Sequence, residues 1–178
     1  MILREATPSD AEQIASLVNQ AYRPEPGASG WTHESGLVSG QRISAEQVIG
    51  AMRGSHAVLL VAQEGESLLG CVHVENAAPW CHIGMLATLP SLQNRGLGKK
   101  LLAAAEDLAV SRHGAQGFKM SVLSSRPELL AYYERRGYRL TGLAHPYPVE
   151  AGVGQPLNAN LQVLELIKLH GVVGGNAA

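Results

Sequence analysis

Cysteine is nearly absent from this sequence: Cys71 and Cys81 are the only two in 178 residues. Two thiols cannot build a disulfide framework, nor by themselves fill a four-ligand zinc site, so no metal is expected. Long apolar runs are also missing. No stretch reaches the roughly 18 uninterrupted apolar residues of a membrane span, and the start, Met-Ile-Leu-Arg-Glu, lacks the pattern of a secretory leader. Charge of one sign is lacking as well, the net charge being −1, so no general attraction to nucleic acid or anionic membrane is expected. A soluble cytoplasmic protein with reduced thiols is the expectation. Aromatic residues make up only 4% of the chain, which gives weight to the places where they gather.

What is present is an ordinary globular composition, 46% apolar and 16% charged, in a length that suits one domain. Residues 2–6 read as a strand. Thr7-Pro8-Ser9-Asp10 reads as a helix start, followed by Ala11, Ile14, Leu17, Val18 and Ala21 at helical spacing. Residues 22–43 read as mostly loop. Ser44-Ala-Glu-Gln47 resembles a capping box opening a short helix that stops at Gly54. Three apolar runs over 56–63, 68–75 and 80–88 are separated by turn residues and predict an antiparallel meander. After Pro90 the period lengthens: Leu97, Leu101, Ala105 and Leu108 predict a helix over 96–113. A strand over 118–123, a helix over 127–136 ended by Gly137, and strands over 138–143 and 161–169 complete the pattern. The fold class is α+β: a mixed, mostly antiparallel, twisted seven-stranded sheet with helices on both faces. One domain is expected over 1–170, with a frayed tail over 171–178.

The chemistry centres on residues 93–99, Gln-Asn-Arg-Gly-Leu-Gly-Lys, between a strand and a helix. The first turn of a helix carries unpaired N–H groups at the positive end of the helix dipole. Gly96 and Gly98 let those groups approach an anion, and Arg95, Lys99 and Lys100 add local positive charge. A Walker loop needs glycine where Gln93 stands, and a dinucleotide fingerprint needs one where Leu101 stands. On glycine spacing alone, a phosphate cradle and a plain chain reversal both remain open.

Gln-x-x-Gly-x-Gly after a strand ending Gly84-Met-Leu-Ala-Thr88 resembles the acyl-CoA-binding motif of the GNAT superfamily of N-acetyltransferases. Leu130-Ala-Tyr-Tyr133-Glu-Arg-Arg-Gly137-Tyr138 is similar to that family's C-terminal helix motif, some 40 residues further on. With the element order, the likeness extends over residues 1–170. It implies acetyl-CoA as co-substrate, with the pantetheine arm pairing to backbone at Leu86, Ala87 and Thr88. Gln93, Asn94, Arg95, Gly96, Leu97, Gly98 and Lys99 would then hold the pyrophosphate. It implies Tyr133 as the general acid that protonates the departing thiolate. Eleven residues ahead of Gln93, where many members carry a glutamate, stands His82. It is read as the base, with Glu34, Glu75 or water as alternatives. Arg126 replaces an asparagine common seven residues before the tyrosine and is assigned to the cofactor.

The resemblance also implies an acceptor pocket between the loops over 22–42 and 144–159. These hold Tyr22, Trp31, His33 and Glu34, then His145, Tyr147 and Glu150; Tyr22, Trp31, Glu34 and His145 are assigned to the acceptor. Small amines, amino acids, antibiotics and protein N-termini are all open. Homodimers are frequent in the family. The expected function is transfer of acetyl from acetyl-CoA to a primary amine of a small molecule or peptide by direct attack, without a cysteine nucleophile. The rival reading is a non-catalytic acyl-CoA sensor of the same fold.

Overall fold

Capping and strand alternation lay out the first half of the chain. The computed structural model describes residues 1–25, 27 and 30–171. The first strand, β1 (Ile2–Glu5), leads into a 3-10 turn (Pro8–Asp10) and helix α1 (Ala11–Tyr22). The Asp10 carboxylate accepts from the Thr7 N–H at 2.7 Å and receives both terminal nitrogens of Arg4 at 2.8 Å. This pins the helix start to the strand before it. After β2 (Val38–Ser39), helix α2 (Ala45–Ala51) opens on the expected reciprocal cap. There Gln47 N–H donates to Ser44 Oγ at 3.2 Å, and Ser44 N–H to Gln47 Oε1 at 2.8 Å.

The meander is β3 (Ala57–Glu64), β4 (Ser67–Ala77) and β5 (Trp80–Thr88). Then come α3 (Leu97–His113), β6 (Gly117–Leu123), α4 (Pro127–Glu134), β7 (Arg139–Pro146), β8 (Gln155–Pro156) and β9 (Gln162–Leu169). Seven strands form one sheet in the order β1-β3-β4-β5-β6-β9-β7. All neighbours are antiparallel except β5 and β6. The mixed, mostly antiparallel α+β fold read from the sequence is the fold observed.

Side-chain alternation along β3 sends Val58, Leu60 and Ala62 into a core with α3 and α4, and Leu59 and Val61 into a second core with α1 and α2. The sheet is thus covered on both faces. Between the paired residues Cys71↔Ala87 and His73↔Gly84, β5 holds one residue more than β4. Met85 sits there in the left-handed region with φ 48°. The extra residue reverses the alternation, so Cys81 and Ile83 face the α3 side while Ala87 faces the α1 side. β6 pairs with β5 only from Trp80 to His82, and beyond His82 the two strands part.

Three boundaries differ from expectation. The stretch 22–43 contains β2, which pairs with β8 in a separate two-stranded ladder. Two-residue strands are too short to show any alternation. β7 runs to Pro146, because antiparallel pairing with β9 continues through His145↔Val163, so His145 belongs to a strand and not to a loop. β4 continues to Ala77, which shortens the expected turn over 76–79. The expected tail over 171–178 lies outside the described residues apart from Gly171.

Candidate active site

Where β5 leaves β6, the gap opens into two adjoining cavities. The larger, about 410 Å³, is bordered by Leu86, Ala87 and Thr88 of β5, by the turn into α3, and by the residues around the end of α4. Asn94 adopts φ 64° and Gly96 φ 80°, and this left-handed pair swings the chain into α3. The first bond inside the helix runs from Lys100 N–H to Gly96 O at 3.1 Å, leaving the Leu97, Gly98 and Lys99 amides for another acceptor. Gln93, Asn94, Gly96, Gly98 and Lys99 line the cavity. Leu97 turns into the core and Arg95 is exposed outside the lining. A Cβ on Gly98 would meet the Tyr132 hydroxyl at 3.2 Å, so glycine keeps this approach open.

Several residues of this cleft carried no role in the sequence reading. Arg135 and Arg136 line it, and the Arg136 guanidinium lies 3.4 Å from the Tyr132 ring centroid. Their signal was present: both follow Tyr133 within the recognised helix motif. Trp31, expected at the acceptor, instead borders this larger cleft, its ring 5.7 Å from that of Tyr132. Its backbone N–H donates to Gln93 Oε1, which ties the loop to the turn.

The smaller cavity, about 180 Å³, lies further along the gap. His82 and Tyr133 both line it, together with Tyr22, Glu34, Arg42, Arg126 and Tyr147. Apolar residues of β6, among them Met120 and Val122, form its floor. Tyr22, Leu86, Arg126, Leu129 and Tyr133 border both cavities. His145 is exposed and lines neither, as β7 carries it along the sheet edge. Glu75 sits beside His82 in the β4–β5 register but outside the cavity lining. His33 and Glu150 also lie outside both linings.

Electrostatics distinguish the groups. Burial lowers the His82 pKa below the ordinary histidine value, with the Glu75 carboxylate opposing, so the imidazole is neutral at pH 7. Burial pushes the Tyr133 phenol far above its ordinary range and keeps it protonated. Its ring packs edge-on against Tyr132 at 5.3 Å and Tyr138 at 5.9 Å. Glu34 is 4% exposed; it receives an Arg23 N–H at 3.2 Å and lies 3.9 Å from Arg126. Arg23 also donates to the Tyr147 hydroxyl at 3.0 Å. Arg126, 5% exposed, donates to Thr32 Oγ1 at 2.7 Å, while its Nε has no hydrogen-bond partner among the described residues. Both cysteines are buried, and burial pushes the Cys71 thiol up to about 12.

A sheet splayed at a bulge, a glycine turn opening a helix and a buried tyrosine thus meet at one gap. The family model for the acetyltransferase (GNAT) domain matches residues 32–146, more than half of the chain, and the chain belongs to that family of acetyl-CoA-using acyltransferases. No curated protein sequence matches it. Among solved structures it is similar to the PaiA N-acetyltransferase of Thermoplasma acidophilum in complex with coenzyme A, at TM-score 0.71 and 16% identity, covering 95% of this chain and 98% of that one. The ribosomal-protein-S18-alanine N-acetyltransferase of Escherichia coli aligns at TM-score 0.66 and 14% identity over 99% and 98% of the two chains. A variant of the spermidine N-acetyltransferase SpeG of Vibrio cholerae aligns at TM-score 0.65 and 15% identity over 95% of each chain. At these identities the likeness speaks to the fold.

Proposed function

We propose that the chain moves acetyl from acetyl-CoA to a primary amine by direct attack, with the donor in the larger cleft and the acceptor in the smaller cavity. The observation that carries this reading is the meeting of the two cavities at Tyr133 and Leu86, where β5 and β6 have parted. Backbone groups of Leu86, Ala87 and Thr88, freed from β6, pair with the pantetheine arm. The turn from Gln93 and Asn94 to the Gly98 and Lys99 amides holds the pyrophosphate, with Lys99, Arg135 and Arg136 supplying charge. Arg126, where the cavities meet, stands beside both ligands.

His82, neutral at pH 7, takes the proton that the amine must lose. The amine nitrogen then bonds to the thioester carbonyl carbon, the carbon–sulfur bond breaks, the Tyr133 phenol gives its proton to the departing sulfur, and the second proton shed by the nitrogen as the amide forms restores the phenol. Fixed orientation of both reactants across the gap supplies much of the acceleration. Buried Cys71 and Cys81 take no part.

Tyr133→Phe tests the assignment. Thiol release from acetyl-CoA is expected to fall by about 10²-fold or more, while acetyl-CoA affinity, measured at equilibrium, stays within about twofold of the parent. Turnover that survives the change removes Tyr133 as the acid. Acetyl-CoA binding without turnover on any amine by the unaltered protein selects the sensor reading instead.

A further inference from the structure

The smaller cavity has more cationic than anionic lining. Arg42 and Arg126 both face it, and their guanidinium carbons lie 5.4 and 5.9 Å from the centroid of the same ring, Tyr22. The one carboxylate in the lining, Glu34, is already held by Arg23 from behind. Among the described residues no carboxylate lies within 4.0 Å of Arg42. Arg126 has carboxylates only at 3.8 and 3.9 Å, outside hydrogen-bonding distance, and its buried Nε–H is unpartnered among the described residues. A buried guanidinium with unused donors is costly unless a ligand completes it.

We infer that the acceptor is a small amine carrying a carboxylate, an amino-acid-like molecule whose anionic group is received by Arg42 and Arg126 across the Tyr22 ring. Guanidiniums are matched to carboxylates by their paired N–H groups, and a polycationic amine entering the same space meets like charge. Size agrees: 180 Å³ is below the roughly 300–1,000 Å³ of pockets for drug-sized ligands. Glu34, held by the hydrogen bond from Arg23, is committed to that pair and not free as a seat for the amine.

The inference rests on the acetyl-transfer reading only in taking this cavity as the acceptor's. Thiol release is measured with the free amino acids, each beside its own carboxamide, and with spermidine. At least one amino acid is expected to exceed its carboxamide in kcat/KM by about tenfold or more. Arg42→Gln abolishes that ratio and Arg42→Lys, which keeps the charge but not the paired N–H groups, retains only part of it, both with unchanged acetyl-CoA affinity. The same pairs are compared by equilibrium binding to protein saturated with coenzyme A. Carboxylate-selective binding without turnover upholds the anionic subsite and overturns acetyl transfer. The proposal is overturned if no amino acid exceeds its carboxamide in either measurement, if spermidine equals the best amino acid, or if Arg42→Gln keeps the selectivity.

Discussion

His82 shows how one residue's surroundings decide its chemistry. Its register partners are Glu75 on β4 and Lys119 on β6, so it stands at the last rung before the strands separate. Burial outweighs the Glu75 carboxylate and holds its pKa below the ordinary 6.5. A protonated imidazole cannot accept the amine's proton, so kcat/KM is expected to decline as pH falls through that lowered value. In His82→Gln this acidic limb should vanish and the neutral-pH rate should drop by about 10²-fold; a pH–rate profile with the limb intact removes His82 as the base. The residue stood out in the sequence only through its distance from Gln93. Nothing in the sequence indicated that the pairing with β6 stops immediately after it.

Among the elements, β4, β5 and α3 pack tightly enough to make single methyl groups matter. A Cβ on Gly70 of β4 would meet Leu101 Cδ1 at 2.7 Å and Ala87 O at 2.8 Å. Gly70→Ala is therefore expected to cost about 1–3 kcal/mol, lowering the melting temperature by roughly 2–4 °C per kcal/mol in a domain of this size. An unchanged thermal melt would show that helix and strand shift apart freely. The helices were legible because Pro8, the Ser44–Gln47 pair and Gly137 are local signals that act over a few residues. β2 and β8 were not, since each is fixed only by a partner more than a hundred residues away. The bulge at Met85 has no signature in the residues themselves, because an extra residue in an apolar strand leaves the composition unchanged. His145 was misplaced for a related reason: an edge strand exposed on most of its length reads like a polar loop.

At the scale of the whole molecule, near-neutral net charge leaves the attraction of any anionic ligand to a local patch. Lys99, Arg135 and Arg136 line the larger cleft, and the helix dipole of α3 points the same way. Acetyl-CoA at about 100 times its Kd is expected to raise the unfolding free energy by about 2.7 kcal/mol. The gain should shrink as added salt screens the patch. Thermal melts at two ionic strengths check both statements, and a salt-independent shift would move the phosphates away from these residues. The larger cleft was legible through its glycine turn, whereas the smaller cavity is assembled from α1, β5, β6, α4, β9 and two distant loops. Chain folding alone brings Arg42 and Arg126 to the same ring, Tyr22.

The shared wall also constrains how such a protein diversifies. Tyr22, Leu86, Arg126, Leu129 and Tyr133 face both cavities at once. A change in any of them reshapes both cavities together. The far wall, with Arg42, Met120, Val122 and Tyr147, touches the smaller cavity alone. Substitutions along that wall reshape the smaller cavity and leave the larger cleft, with its glycine turn, as it is.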